Sequence, residues 1–223
     1  MSCFYTNADS LSNKFAELQF LVSSKSEKPH IIAITEAKPK NSRFIPSLSE
    51  FCLKDYEMYH VNMDAEGGRG ILVYVLNTLS VSQVSFNFNF EESVWLELKL
   101  INSSKLLFGC VYRSPNSSNT NNDELINMLK HIDQQPQTHK VIVGDFNYGS
   151  INWDTWQNTV SDENADSNRF LTAMRDGYWI QNVKVPTRGR KNNIPSVLDL
   201  IISNEENIIS NLEITSPLGK SDH

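Results

Sequence analysis

Where the run Lys140-Val141-Ile142-Val143 ends in Gly144, the chain sets a carboxylate and an amide two residues apart, Asp145 and Asn147, with Phe146 between them. A short apolar, β-branched run closed by glycine reads as a strand buried on both faces. Alternate side chains of extended backbone share a face, so Asp145 and Asn147 emerge together while Phe146 points back into the packing. The same residues suit an Asx turn, in which Asp or Asn bonds its own backbone. With a formal charge of −6, the acidic balance suits a site that gathers carboxylates around a cation.

A second acid, Asp199, interrupts the apolar run from Ser196 to Ile202, where neither alternating face is otherwise polar. An unpaired buried carboxylate costs several kcal/mol, so a partner is required. His223, the last residue and the only histidine downstream, can serve. An Asp–His pair orients the imidazole and selects its tautomer, which matters for proton transfer near neutral pH. A third acid, Glu36, closes the apolar stretch His30 to Thr35 and shares a face with Ile32 and Ile34, so it needs a positive neighbour: Lys38 or a metal ion. Tyr112-Arg113 ends another strand with a phenol and a guanidinium. Asn7, between a strand and a helix, reads by itself as a cap or turn residue.

These groups require elements to hold them. Ser2 to Thr6 is a short strand, and Asn7 to Ser10 supply caps for a helix whose stripe is Leu11, Phe15, Leu18 and Val22. Phe44 to Lys54 is irregular. Gly67-Gly68-Arg69-Gly70 lacks the following Lys-Ser/Thr of a phosphate loop and leads into a strand at Ile71 to Val75, so it reads as a turn. Strands at Val81 to Phe86, Ser93 to Leu100 and Lys105 to Tyr112, joined by short polar links, must pair antiparallel. A flexible loop at Ser117 to Asn122 precedes a helix at Asp123 to Ile132, and a further helix spans Asn168 to Met174. The aromatic-rich loop Tyr148 to Trp156 serves either packing or base stacking. The order β-α-β, meander, α, β predicts a mixed α/β sandwich.

At 223 residues and 39% hydrophobic, the chain suits one large domain with a sizeable core. No apolar run approaches the roughly 20 residues of a membrane span, nor does the N-terminus suit a signal peptide; cytosol or nucleus is the expected compartment. Cys3, Cys52 and Cys110 lack metal-knuckle spacing and read as reduced and structural. The negative charge argues against holding nucleic acid by a bulk positive field, although Arg188, Arg190 and Lys191 form a cationic cluster that also suits a solvated loop.

Taken together, Asn7 within Tyr-Thr-Asn-Ala-Asp-Ser-Leu, Glu36 in Ile-Thr-Glu-Ala-Lys, Tyr112 in Tyr-Arg-Ser-Pro-Asn, Gly-Asp-Phe-Asn at 144–147, Pro-Thr-Arg at 186–188, Asp199 in Leu-Asp-Leu-Ile and Ser-Asp-His at 221–223 resemble the endonuclease/exonuclease/phosphatase family, and within it the endonuclease domain of non-LTR retrotransposons. The resemblance runs from end to end and implies a four-layer α/β sandwich, two mixed, mostly antiparallel sheets face to face with helices outside, forming one domain over 1–223. It implies Mg²⁺, or Mn²⁺ in its place, with Glu36 the principal ligand and Asn7 and Asp222 beside it. It makes Asp145 the group that positions or deprotonates water and Asn147 its neighbour, and has His223, oriented by Asp199, act at the scissile phosphate. Tyr112, Thr187 and Ser221 would add phosphate contacts, with Arg113 and Arg188 as cations toward DNA.

The sequence departs from that pattern in three places. The family often shows Tyr-x-Pro-Asn, and here one more residue separates Tyr112 from Pro115-Asn116, which leaves Asn116 out of the site. The first strand is short, and the chain stops at His223 without the family's final strand, so His223 is expected to fray. The leading function implied is a DNA endonuclease that nicks target DNA for priming by a reverse transcriptase of the same polyprotein, in the nucleus where the target is chromosomal. The alternatives are another phosphoesterase of the same fold and an inactive remnant that binds metal or nucleic acid.

Overall fold

Largely hydrophobic runs build the inner strands of two sheets, in a computed structural model that describes residues 1–40, 46–64, 68–101, 103–189, 195–221 and 223. In chain order the elements are β1 (Cys3–Asn7), α1 (Phe15–Ser24), β2 (Ile31–Thr35), a 3₁₀ turn (Leu48–Phe51), β3 (Tyr56–Val61), β4 (Ile71–Leu76), β5 (Val81–Gln83), β6 (Ser93–Lys99) and β7 (Lys105–Tyr112). There follow α2 (Asn119–Asp133), β8 (His139–Asp145), β9 (Ile151–Asn152), β10 (Gln157–Asn158), α3 (Asp166–Asp176), β11 (Ile180–Gln181) and β12 (Asp199–Ser203). One sheet has the order β1-β2-β4-β3 and the other β11-β12-β8-β7-β6-β5, with β9 and β10 a separate two-stranded ribbon.

Parallel pairing occurs at β1 with β2 and at β7 with β8, each pair joined by a single helix; the other pairings are antiparallel. Ile31, Ala33, Val73 and Val75 of the first sheet meet Leu96, Phe108, Cys110 and Val143 of the second in one buried layer. On the far side of the first sheet, Ile32, Ile34 and Leu72 pack with Leu18 and Val22 of α1. On the far side of the second, Leu107, Ile142 and Leu200 pack with Leu125 and Leu129 of α2 and with Phe170 and Met174 of α3. The layers are therefore helix, sheet, sheet, helix, the α/β sandwich expected. The period-2 alternation that sends Ile32 outward and Ala33 inward also explains why Ile31 to Ile34 of β2 and Val141 to Val143 of β8 are continuously apolar.

Several expectations need correction. β3 adds a strand just after the irregular stretch that ends at Lys54. Helix α2 begins inside the segment expected to be a loop, because Ser118 caps it by accepting from Asn121 N at 3.2 Å and Asn122 is fully buried. The first helix starts at Phe15 rather than just after Ser10, since Asp9 and Ser10 adopt positive φ (40° and 76°). The strand expected at Ser196 begins at Asp199, with only an isolated bridge between Arg188 and Ser196 before it. Gly144 is required by proximity: a Cβ there would stand 1.9 Å from Val111 O of β7, which seats β8 directly against its parallel neighbour.

Candidate active site

Strand register brings the acids together before any side chain is considered. Asp199 pairs directly with Asp145 across β12 and β8, and Tyr112 pairs with Asp145 across β7 and β8. The ends of β1 and β2 lie at the same rim, where Asn7 Nδ2 donates to Asp145 Oδ2 at 2.8 Å. Asp145 Oδ1 accepts from Asn147 N at 3.1 Å, and Asn147, at φ 53°, donates its amide to Arg113 O at 2.8 Å. The octet thus forms the Asx turn, while the Asn147 side-chain amide is spent on Arg113 rather than set beside the carboxylate. Asp145 has no exposure at all. Its burial, then the charge of Asp199 and the charge of Glu36, push its carboxyl well above the usual range, against the opposing effects of His223 and the Asn7 bond.

The carboxylate of Asp199 serves two partners. Oδ2 lies 2.8 Å from His223 Nδ1, and Oδ1 accepts from the Tyr5 phenol at 2.7 Å. The Tyr5 hydroxyl also lies 2.9 Å from Thr35 Oγ1. The other imidazole nitrogen, Nε2, stands 3.9 Å from Asp145 Oδ2. Burial would lower the imidazole's value, but the bond to Asp199 and the charges of Asp199 and Asp145 outweigh it and hold His223 above its ordinary pKa. His223 is tied down, contrary to the fraying expected: Ser221 Oγ donates to Asn7 O at 2.9 Å, Gly219 N to Glu17 Oε1 at 3.0 Å, and Leu218 is buried beside α1.

Glu36 lies on a different face from the one its spacing suggested. At φ 51° it leaves the extended geometry, so it does not continue the outward row of Ile32 and Ile34. Instead its charge acts on Tyr112, a residue of the layer between the sheets. Burial and the charges of Glu36 and Asp145 push the Tyr112 phenol up, which keeps it protonated. The cation that meets Glu36 is Arg69, through an ion pair at Nη2.

Of the residues expected to face phosphate or DNA, three spend their polar groups on the protein itself: Arg113, Thr187 and Ser221, whose Oγ donates to Asn7 O. Arg113 is 5% exposed, donates from Nε to Asn122 Oδ1 at 2.7 Å and from Nη1 to the Phe146 and Asn147 carbonyls, and stacks 4.0 Å from the Tyr148 ring centroid. Thr187 Oγ1 accepts from the backbone N–H groups of Leu198 and Asp199 at 3.1 and 3.0 Å, so it seats the start of β12. Arg188 is half-buried and its charge reaches His223. Asp222, Arg190 and Lys191 lie outside the described residues. The aromatics of the Tyr148 to Trp156 loop are packed: Tyr148 and Trp153 are buried against Phe170, and Trp153 meets Trp156 edge to face.

Sequence reasoning missed Tyr5 and Arg69. The signal for Tyr5 was its place two residues before Asn7, hence on the same face of β1; Arg69 was hidden in a glycine turn.

The donor set fits a hard divalent cation. Glu36, Asp145 and Asp199 are close enough for the charges of the other two to raise Asp145, and carboxylate and amide oxygens suit Mg²⁺. Asp145, Asp199 and His223 each offer a ligand atom within 4.8 Å of the others; Asp199 and His223 are engaged with one another, and Glu36 with Arg69.

Two facing sheets flanked by helices, with acids at one rim, define the sandwich of the endonuclease/exonuclease/phosphatase proteins. The chain belongs to the endonuclease-reverse transcriptase family, whose profile matches residues 106–223, more than half its length. The endonuclease domain of TRAS1, a telomere-specific non-LTR retrotransposon, superimposes with a TM-score of 0.67 at 14% identity over 99% of this chain and 93% of that one. The AP endonuclease LMAP from Leishmania major gives 0.63 at 12% identity, covering 90% and 77%. The 3′ phosphatase NExo from Neisseria, bound to a product DNA hairpin, gives 0.58 at 11%, covering 91% and 86%. No curated protein matches the chain. Among the described residues no helix is long and apolar enough to cross a membrane.

Proposed function

We propose that this protein is a divalent-metal-dependent DNA endonuclease that hydrolyses one phosphodiester and leaves a 3′ hydroxyl from which a reverse transcriptase primes. The observation that carries the reading is Asp145: a fully buried carboxylate set between the Asn7 amide and an Asp199–His223 pair. A carboxyl whose burial raises its proton affinity is suited to take a proton from water. The Asn7 amide and the Asn147 N–H hold its oxygens in place meanwhile. Asp199, bonded to Nδ1, keeps a proton on that nitrogen and favours the imidazolium, whose second proton, on Nε2, is the one that can be donated to the phosphate. The protonated Tyr112 phenol is a further donor for a phosphate oxygen. A cation held by Glu36, Asn7 and Asp222 would cancel charge on the phosphate oxygens and on the departing 3′ oxygen. Ser221 sets the loop that carries the imidazole, and Arg188 is a cation for the DNA backbone.

On this reading the whole of 1–223 acts as one catalytic domain, beside a reverse transcriptase in the same polyprotein and in the nucleus where the target is chromosomal. The test is nicking of supercoiled plasmid with Mg²⁺. The wild-type chain should convert it to open circle, and Asp145→Ala or chelation by EDTA should stop it. Release of inorganic phosphate from small phosphate esters without nicking would assign another phosphoesterase activity, and no turnover of either substrate would make the chain a binding remnant.

A further inference from the structure

Arg69 stands in the candidate site without a part in the reaction just described. It sits between Gly68 and Gly70, both at positive φ (61° and 71°), and a Cβ on Gly70 would lie 2.5 Å from Met63 Sδ. The turn is held against the loop after β2: Ala37 N donates to Gly70 O at 3.0 Å and Lys38 N to Arg69 O at 2.7 Å. From this shelf the side chain crosses to two acids. Nη2 pairs with Glu36 Oε2 and donates to Asp9 Oδ1 at 2.7 Å, while Nε donates to Lys38 O at 3.2 Å. The Arg69 and Glu36 side chains are 14% and 13% exposed, that of Asp9 51%.

A guanidinium that bridges two carboxylates does the electrostatic work of a cation. We propose that Arg69 occupies Glu36 in the cation's place, competes with the divalent ion for that carboxylate, and moves onto Asp9 alone when the ion enters. Two positive groups sharing one carboxylate repel each other, and the repulsion is little screened where both lie mostly out of water. Asp9, on the solvent side and already bonded to the same nitrogen, is the partner that remains. The glycine turn thereby sets how tightly the site holds its ion. The inference rests on Glu36 being a ligand, as the proposed function has it.

The test is Mn²⁺ binding by the full chain without DNA, followed by electron paramagnetic resonance of the free ion, with Glu36→Gln as the marker that the ion is at this site. Arg69→Met should bind Mn²⁺ about tenfold more tightly than wild type, and Glu36→Gln should remove that binding. Equal or weaker binding by Arg69→Met overturns the competition while leaving the metal site intact. If Arg69→Met does not fold, Asp9→Asn, at a half-exposed position, decides: removing the alternative partner should weaken Mn²⁺ binding about threefold, and unchanged or tighter binding overturns the inference. If neither wild type nor Arg69→Met binds Mn²⁺ in a Glu36-dependent way, the metal reading and the inference fall together.

Discussion

The phenol of Tyr5 donates to Oδ1 of Asp199 across 194 positions of sequence, at 2.7 Å, while the second oxygen of the same carboxylate holds His223. One strand of the first sheet thus steadies a pair that belongs to the second. A hydrogen bond to a charged group contributes about 1.5–3 kcal/mol. Tyr5→Phe, which keeps the ring, should lower the unfolding free energy by about that amount and slow nicking several-fold by loosening Asp199. Urea denaturation beside a plasmid assay measures both; an unchanged nicking rate would show that His223 is oriented without it.

Asp199→Asn keeps the shape and removes the charge that orients the imidazole. Turnover should fall by about 10²–10⁴-fold, by analogy with other carboxylate–histidine pairs, with the circular dichroism spectrum retained. The pair also has a pH signature. His223 is held above its ordinary value of 6.5, so its contribution to stability is complete below about pH 6.5 and is lost as pH rises through the raised folded value. The unfolding midpoints of parent and variant should therefore differ most near pH 6 and converge at higher pH.

Burial, then the charges of Glu91 and Glu36, push the Glu92 carboxyl from 4.5 up to about 7. Its folded value exceeds the unfolded one, so the Glu92 contribution to stability is complete below pH 4.5 and is lost as pH rises through 7. Glu92→Gln should raise the urea midpoint clearly at pH 8 and much less at pH 5. An equal gain at the two pH values would contradict a titrating Glu92.

Arg113 was expected at the DNA surface and instead clamps the carbonyls of Phe146 and Asn147 beneath the site. A lysine cannot reproduce its fork or its stacking on Tyr148. Arg113→Lys should cost about 1–3 kcal/mol of stability, the cost of leaving a buried hydrogen-bonding group unsatisfied, and leave the salt dependence of DNA binding unaltered, because no phosphate contact is removed. Fluorescence anisotropy at several salt concentrations, with thermal unfolding beside it, separates the two roles.

Much of this protein was legible in order of residues. Period-2 and continuous apolar runs located β2, β4, β7 and β8, because the middle of each strand packs on both faces. Asp199 announced a partner because a lone carboxylate in such a run is too costly, and the structure supplies His223. What the residues alone left undecided depends on backbone that departs from the regular periods. Glu36 and Asn147 take positive φ, so alternation no longer tells where they point. The start of α2 depends on a serine cap, and the partner of Glu36 on a glycine turn more than thirty residues away. Local pattern determined which segments are buried and which groups need partners. Only the pairing of distant strands decided which partners they have, because burial is a property of each segment while contact is a property of the whole chain.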